Sequence, residues 1–296
     1  LERGGNYCDL YFENTVFNNL FLRDGIVSSG GSHIDYGIGI RVLEGEKTGY
    51  AYSESTDAAS MSDAARAAAA IAGGKKGSPL KVGCRLPSFP KDTCTWKKDW
   101  MEESAGYYVP YMEKLRNMIF AREQKVSKVM LMLQWQNSDI LMFNSDGEMT
   151  FDTRPLASLN ASVVFTKDGR NENNNASRSF RMGSEMLSDS LLEELADAVV
   201  KGIDDRFEAR RPKGGRMPVV MGAGASGILL HGSMGHAFEA DFNRKGQSVF
   251  SEKMGQKICD ESISIVDDGT IPFNRGSINF DDEGVPGQKT YMVKDG

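Results

Sequence analysis

The chain is short of cysteine, of histidine, of long apolar runs and of clustered positive charge, and each shortage closes off a class of function. Its four cysteines, Cys8, Cys84, Cys94 and Cys259, form no C-x-x-C pair. Reduced thiols in a cytoplasmic protein therefore fit better than a disulfide framework. No run approaches the roughly 20 apolar residues that cross a bilayer, so no membrane partner is expected. The longest bland stretch, Ala64 to Ala72, reads as a short alanine-rich helix. The formal net charge is −6, and no Lys/Arg cluster of real length offsets it, which argues against direct nucleic-acid binding. Arg210-Arg211-Pro212-Lys213, with Arg216 close behind, reads as a linker rather than a DNA contact. The chain opens on Leu1 and stops within Tyr-Met-Val-Lys-Asp-Gly. Both ends read as cut, so a leader stays open and downstream residues are expected.

What is present is an ordinary globular composition, 40% hydrophobic and 26% charged over 296 residues, enough for two or three cores. From Tyr7 to Tyr52, β-rich segments alternate with turn signals at Asp24-Gly25 and Glu44 to Lys47, which predicts an antiparallel meander. A helix follows at about Ser60 to Ala72, closed by Gly73-Gly74. The Gly-, Pro- and Lys-rich segment from Gly73 to Asp92 is the first expected boundary. A helix near Pro110 to Arg122 precedes strands at 128–136, 139–153 and 157–169, turning at Asp146-Gly147 and Asp168-Gly169. Residues 171–177, Asn-Glu-Asn-Asn-Asn-Ala-Ser between Arg170 and Arg178, read as an exposed loop. Ser190 to Glu193 has the spacing of a capping box, opening a helix with Leu191, Leu192, Leu195, Val199 and Ile203 on one core face. Residues 208–216 read as linker, 217–221 as a short buried strand, and strands are expected again at 262–270, 275–284 and 289–296. The fold class is α+β, with mixed or antiparallel sheets and flanking helices. The expected divisions are an N-terminal α+β subdomain at 1–85, a central one at 86–212 and the start of a β-rich metal-site domain at 213–296.

Residues 219–243 carry two competing signals. Gly222-Ala223-Gly224-Ala225-Ser226-Gly227 satisfies G-x-G-x-x-G between a strand and a helix, the context of a dinucleotide loop. The acidic residue at the end of a second parallel strand is missing, and Asp241 sits within a helical pattern. Close packing of a strand on a helix explains these glycines better. The second signal is that two of the three histidines, His231 and His236, lie five apart. On a regular helix they would point about 140° apart, so sharing one ion requires a π-bulge or kink, which Gly235 makes cheap. Two neutral imidazoles suit zinc with a third protein ligand and an open position. Glu239, Asp241 and Cys259 are the local candidates. Two satisfied structural histidines are the competing reading.

The stretch from His231 through Gly255, followed by Val266 to Gln288, resembles the signature region of the TldD/PmbA family of metallopeptidases, historically labelled modulators of DNA gyrase. The resemblance runs upstream through Asp9-Leu-Tyr-Phe-Glu13, Leu22-Arg-Asp-Gly-Ile-Val-Ser-Ser29, Gly37 to Ser53 and the alanine helix, and so covers nearly the whole chain. It implies that His231 and His236 bind zinc, within a His-Glu-x-x-x-His signature whose glutamate activates metal-bound water. Gly232 occupies that glutamate position, with no side chain to serve as general base. The family's third ligand, a cysteine, falls downstream of Gly296, so Cys259 is not assigned that role and the zinc site in residues 1–296 is expected to be incomplete. The resemblance further implies hydrolysis of extended or unfolded peptides in a cleft closed by the C-terminal domain. It also implies a dimer, either of like chains or with a metal-free PmbA-like relative. Two expectations follow: a zinc peptidase altered at Gly232, or an inactive subunit that binds peptide or partner.

Overall fold

The computed structural model describes residues 1–2, 4–73, 83, 85, 96–224 and 226–296. The expected boundary segment at 73–92 lies almost wholly outside them, as do Cys84 and Cys94. The chain divides into two compact units, Leu1–Ala209 with Gly269–Gly287, and Arg210–Asp268 with Gln288–Gly296.

The larger unit is built on one sheet. Strands β1 (Tyr7–Arg23), β2 (Ile26–Glu44), β3 (Lys47–Ser53), β4 (Val126–Asn144), β5 (Met149–Lys167) and β6 (Arg170–Phe180) run in the order β3-β2-β1-β4-β5-β6. Every neighbouring pair is antiparallel. The meander and its turns at Asp24-Gly25, Asp146-Gly147 and Asp168-Gly169 stand where the sequence places them. Asp24 and Asp168 take positive φ (51° and 50°), a conformation aspartate tolerates in tight turns. The strands expected separately at 128–136 and 139–153 divide differently: β4 runs unbroken to Asn144, because Asn137 and Ser138 keep their pairing to Val16 and Thr15, and β5 takes the residues from Met149.

The Asn-rich stretch at 171–177 is a correction: it is most of edge strand β6, paired to β5 from Lys167↔Arg170 to Ala157↔Phe180. Polar residues suit a sheet edge, where one side meets solvent. Asn174 also donates to the Val199 carbonyl at 2.8 Å.

One face of the sheet takes four helices. Helix α1 (Ala58–Ala72) starts at Asp57, whose carboxylate accepts from the Ala59 and Ser60 amides at 2.9 and 3.0 Å. It ends on Gly73 at φ 70°. Its alanines pack on Ile38, Ile40 and Val42 of β2. The approach is so close that a Cβ on Gly49 of β3 would strike the Ala68 carbonyl. Helix α2 (Ala105–Arg122) begins five residues before Pro110, which is accommodated inside it. Helix α3 (Asp189–Val200) is capped by Ser188, whose hydroxyl accepts from the Leu191 amide at 3.3 Å. The cap is therefore two residues ahead of the Ser190 box. The helix breaks at Gly202 (φ 71°) before α4 (Ile203–Glu208). Leu191, Leu192, Leu195, Val199 and Ile203 are all buried in one core with α2 and the helix-covered face of β4 and β5.

The opposite face is covered over β1, β4 and β5 by Gly269–Gly287. The strand expected at 275–284 is instead an irregular strap. It turns through Asn274, Asp281 and Gly284 and touches the sheet edge at the Phe180↔Asn274 bridge. Arg154 of β5 fastens it: Nε donates to Asp152 at 2.8 Å, Nη1 to Asp282 at 2.7 Å and Nη2 to the Phe280 carbonyl at 2.8 Å. Burial alone would pull its pKa down, but the bonds to Asp282 and Asp152 outweigh this and raise it. Asp152 is 4% exposed and also accepts from Asn279.

In the smaller unit, β7 (Ile265–Asp268) pairs with β8 (Lys289–Val293). The strand expected at 217–221 does not form. No described residue pairs with it and Val220 is 98% exposed, so its apolar pattern has no ladder to join.

Two measurements check this account. Gly49→Ala should lower unfolding free energy by about 1–3 kcal/mol in urea denaturation, as overpacking does. Arg154→Met should cost about 3–5 kcal/mol by stranding the buried Asp152 charge, and adding Asp152→Asn should recover part of that loss.

Candidate functional site

The two histidines meet because the helix stops between them. Helix α5 (Ser226–Ser233) carries His231 in its last turn. Its final bond runs from the Met234 amide to the Leu230 carbonyl at 2.9 Å. Met234 then leaves helical geometry (φ −128°, ψ −42°), and the chain re-enters a 3₁₀ turn, Gly235–Phe238, with His236 as its second residue. A tighter turn makes up the angle that a regular helix would impose. The two imidazole centroids lie 4.4 Å apart with the rings inclined at 60°. The distortion is a helix break rather than a π-bulge. Gly235 eases it, since a Cβ there would come within 3.1 Å of His231 Nδ1 and press on the imidazole.

Glu239 completes the pair from behind. Its Oε1 is 2.6 Å from His236 Nδ1. An ionised carboxylate only accepts, so the bond orients the ring through Nδ1–H, and in the neutral imidazole of that tautomer Nε2 is the free donor atom for a metal. The helical pattern expected to continue through His236 to Asn243 is replaced by the 3₁₀ turn and a separate five-residue helix, α6 (Ala240–Arg244). Asn243 donates to the Ala237 and Glu239 carbonyls at 2.8 and 2.9 Å. Ser248 donates to the Ala237 carbonyl at 2.5 Å. Phe250 stacks on Phe238 with centroids 4.8 Å apart. These three residues hold the histidine turn, and sequence reasoning passed over them. Their only signal was an Asn, a Ser and a Phe recurring just past the histidines.

The other named positions do not converge. Among the described residues, no group of three or more His, Cys, Asp or Glu side chains is placed to hold a metal ion. Cys259 is a free, half-buried thiol, and Asp241 belongs to α6. Gly232 faces open space, with nothing within 4 Å of an added Cβ. The same is true of Gly222, Gly224 and Gly227, so the close strand-to-helix packing expected of these glycines is absent, along with the strand itself. Nor, among the described residues, do parallel βαβ units stand behind them. Within the same unit, a cavity of about 650 Å³ opens beside the turn, lined by Phe238, Phe250, Met254, Tyr291, Lys253 and Lys257 among others. That is the size range of small-molecule and peptide side-chain pockets.

Family models for the PmbA/TldA metallopeptidase match in chain order: domain 1 at residues 8–72, the central domain at 103–206 and the C-terminal domain at 214–296. The chain belongs to the PmbA/TldD metallopeptidase family. It is 34% identical to a protein named metalloprotease TldD homolog from Haemophilus influenzae, over all of this chain and 62% of that protein. It is 27% identical to a metalloprotease from Methanothermobacter thermautotrophicus, over all of this chain and 64% of that one. The chain thus spans less than two thirds of the length of these relatives. Its fold matches a solved structure from Thermotoga maritima, described as a modulator of a DNA gyrase, with TM-score 0.76 and 19% identity over 98% of this chain and 65% of that one. TldE from Thermococcus kodakarensis matches with TM-score 0.74 and 19% identity, over 99% and 65%. Among the described residues no helix is long and apolar enough to cross a membrane.

Because Asn243 alone supplies two bonds to the histidine turn, Asn243→Ala should speed amide exchange across 235–240 about tenfold, as losing one to two net hydrogen bonds implies. Unchanged exchange would mean that the turn is held by other contacts.

Proposed function

We propose that the chain carries the histidine pair of a zinc-dependent peptidase acting on extended or unfolded peptides, with the general-base position vacated at Gly232. The observation that carries the reading is the break in α5. It spends a helix end and a glycine to bring His231 and His236 within 4.4 Å, with Glu239 orienting one of them. Structural histidines have no need of that arrangement. Relatives named metalloproteases along the whole chain support it.

The donors present fit a zinc ion in part. His231 and His236 would hold it through imidazole nitrogens, and Glu239 is the kind of carboxylate partner that fixes tautomer and ring orientation in such sites. A third ligand is not among the described residues near them. Zinc bound there would supply a Lewis acid for a peptide carbonyl. The chain's own residues would position the peptide and exclude water, with the adjacent cavity as the place for a substrate side chain. The proton transfer that a glutamate would perform has no side chain at Gly232, and a general base commonly contributes about 10²–10⁴-fold. Gly232 is thus the one observation that favours a second reading, an inactive subunit that still binds peptide. A dimer, with a like chain or a PmbA-like relative, and a cytoplasmic setting complete the proposal.

The test is metal content together with hydrolysis of an unfolded peptide, for the natural protein and for Gly232→Glu. The open space at Gly232 admits the new side chain without moving the backbone. Hydrolysis should rise about 10²–10⁴-fold at equal metal content. A zinc-loaded Gly232→Glu protein that stays inert would end the peptidase reading in favour of the binding subunit. Glu239→Gln should weaken zinc binding about tenfold, read by competition with a chromogenic chelator.

A further inference from the structure

The strap leaves part of the sheet's second face uncovered, over β2 and β3. Side chains alternate along a strand, so the residues that share this face follow from register. Ile38, Ile40 and Val42 point at α1, and therefore Gly37 and Gly39 point away from it. Tyr11 and Glu13 of β1 pair with Gly39 and Gly37, and Tyr52 of β3 pairs with Gly39 from the other side. The two glycines make room for their neighbours: the Tyr50 hydroxyl comes within 2.8 Å of where a Cβ on Gly39 would stand, and the Ser53 carbonyl within 2.5 Å of one on Gly37. The result is a trough of about 270 Å³ whose lining includes Tyr11, Glu13, Asp35, Tyr50, Tyr52 and Glu54.

Its chemistry is one-sided. Tyr50 and Tyr52 are 57% and 73% exposed, and Tyr36 beside them is 53% exposed. Side chains of this size are left open to water although a helix-covered face lies on the other side of the same strands. Three carboxylates, Glu13, Asp35 and Glu54, line the trough and no lysine or arginine does. Arg41, two residues along β2 from Gly39, is paired with Asp9 at 2.9 Å and with Glu283 at 2.7 Å. Aromatic rings around a carboxylate-rimmed recess attract a cation through ring faces and charge together.

We propose that this trough binds a cationic side chain, arginine or lysine, of an extended peptide, so that segments carrying a positive charge are held on β2 and β3. That the cation arrives on a peptide rests on the proposed function. The recess and its charge do not. The tyrosine rings and the three carboxylates of the trough flank the charged group.

The probe is a fluorescein-labelled glycine/serine heptapeptide with one central arginine, compared with a twin carrying neutral citrulline. Binding is followed by anisotropy in the presence of chelator, so neither metal nor cleavage is involved. The arginine peptide should bind at least about fivefold more tightly than its twin. Tyr52→Leu should weaken it about threefold, as loss of one exposed cation–π contact implies. Glu54→Gln should weaken it similarly and flatten its salt dependence. Both sites are exposed enough that thermal melting should be unchanged, and a variant that melts early is replaced by Tyr50→Leu or Glu13→Gln. Equal binding of the two peptides, no binding of either, or variants indistinguishable from the parent would overturn the inference. A protein that prefers arginine but never cuts would retain this inference and lose the peptidase reading. One that cuts without preference would do the reverse.

Discussion

A six-stranded antiparallel sheet with strands of up to 19 residues has two broad faces, and both must be dealt with. Covering them unequally is the constraint from which the larger unit follows. One face takes α1, α2, α3 and α4, so the apolar half of each alternating strand has a helix to meet. The other face is served by an irregular strap with few apolar residues, and a strap of that kind needs a polar anchor. Arg154 is that anchor, with a buried carboxylate beneath it and a carbonyl and second carboxylate above. Where the strap ends, the sheet is left open, and the residues there are glycine, tyrosine and carboxylate rather than valine and leucine. The same constraint therefore accounts for the core, the clamp and the exposed trough.

Much of this was legible in the sequence, for local reasons. Asp-Gly turns, the alternation in β5 and the 3.6-residue stripe of α3 are signals written by neighbours in the chain, and the antiparallel meander and α+β class came from them. What escaped depended on pairing partners rather than on local composition. The Asn-rich β6 looks like a loop until β5 supplies a ladder. Met217 to Met221 looks like a buried strand, yet none of the described residues pairs with it. The strap at 269–287 has strand-like composition, but its shape is set by Arg154, more than a hundred residues away.

The candidate site divides the same way. His231 and His236 could be named from type and spacing, and the need for a kink followed from helix geometry alone. The form of the kink, a helix end followed by a 3₁₀ turn, required Asn243, Ser248 and Phe250 to hold it, and their spacing advertises nothing. Glu239, first weighed as a ligand, proves to be the partner of His236. The glycine fingerprint lost both of its readings at once, because a Cβ on any of its glycines would meet open space and, among the described residues, no parallel sheet stands behind them.

The central claim is that the break in α5 exists to let two imidazoles share one ion. X-ray absorption at the zinc edge of the zinc-loaded natural protein tests it most directly. The account predicts two imidazole nitrogens at about 2.0–2.1 Å, both lost from the spectrum in His231→Ala/His236→Ala. A zinc shell containing no imidazole, or one unaltered by that double substitution, would contradict it.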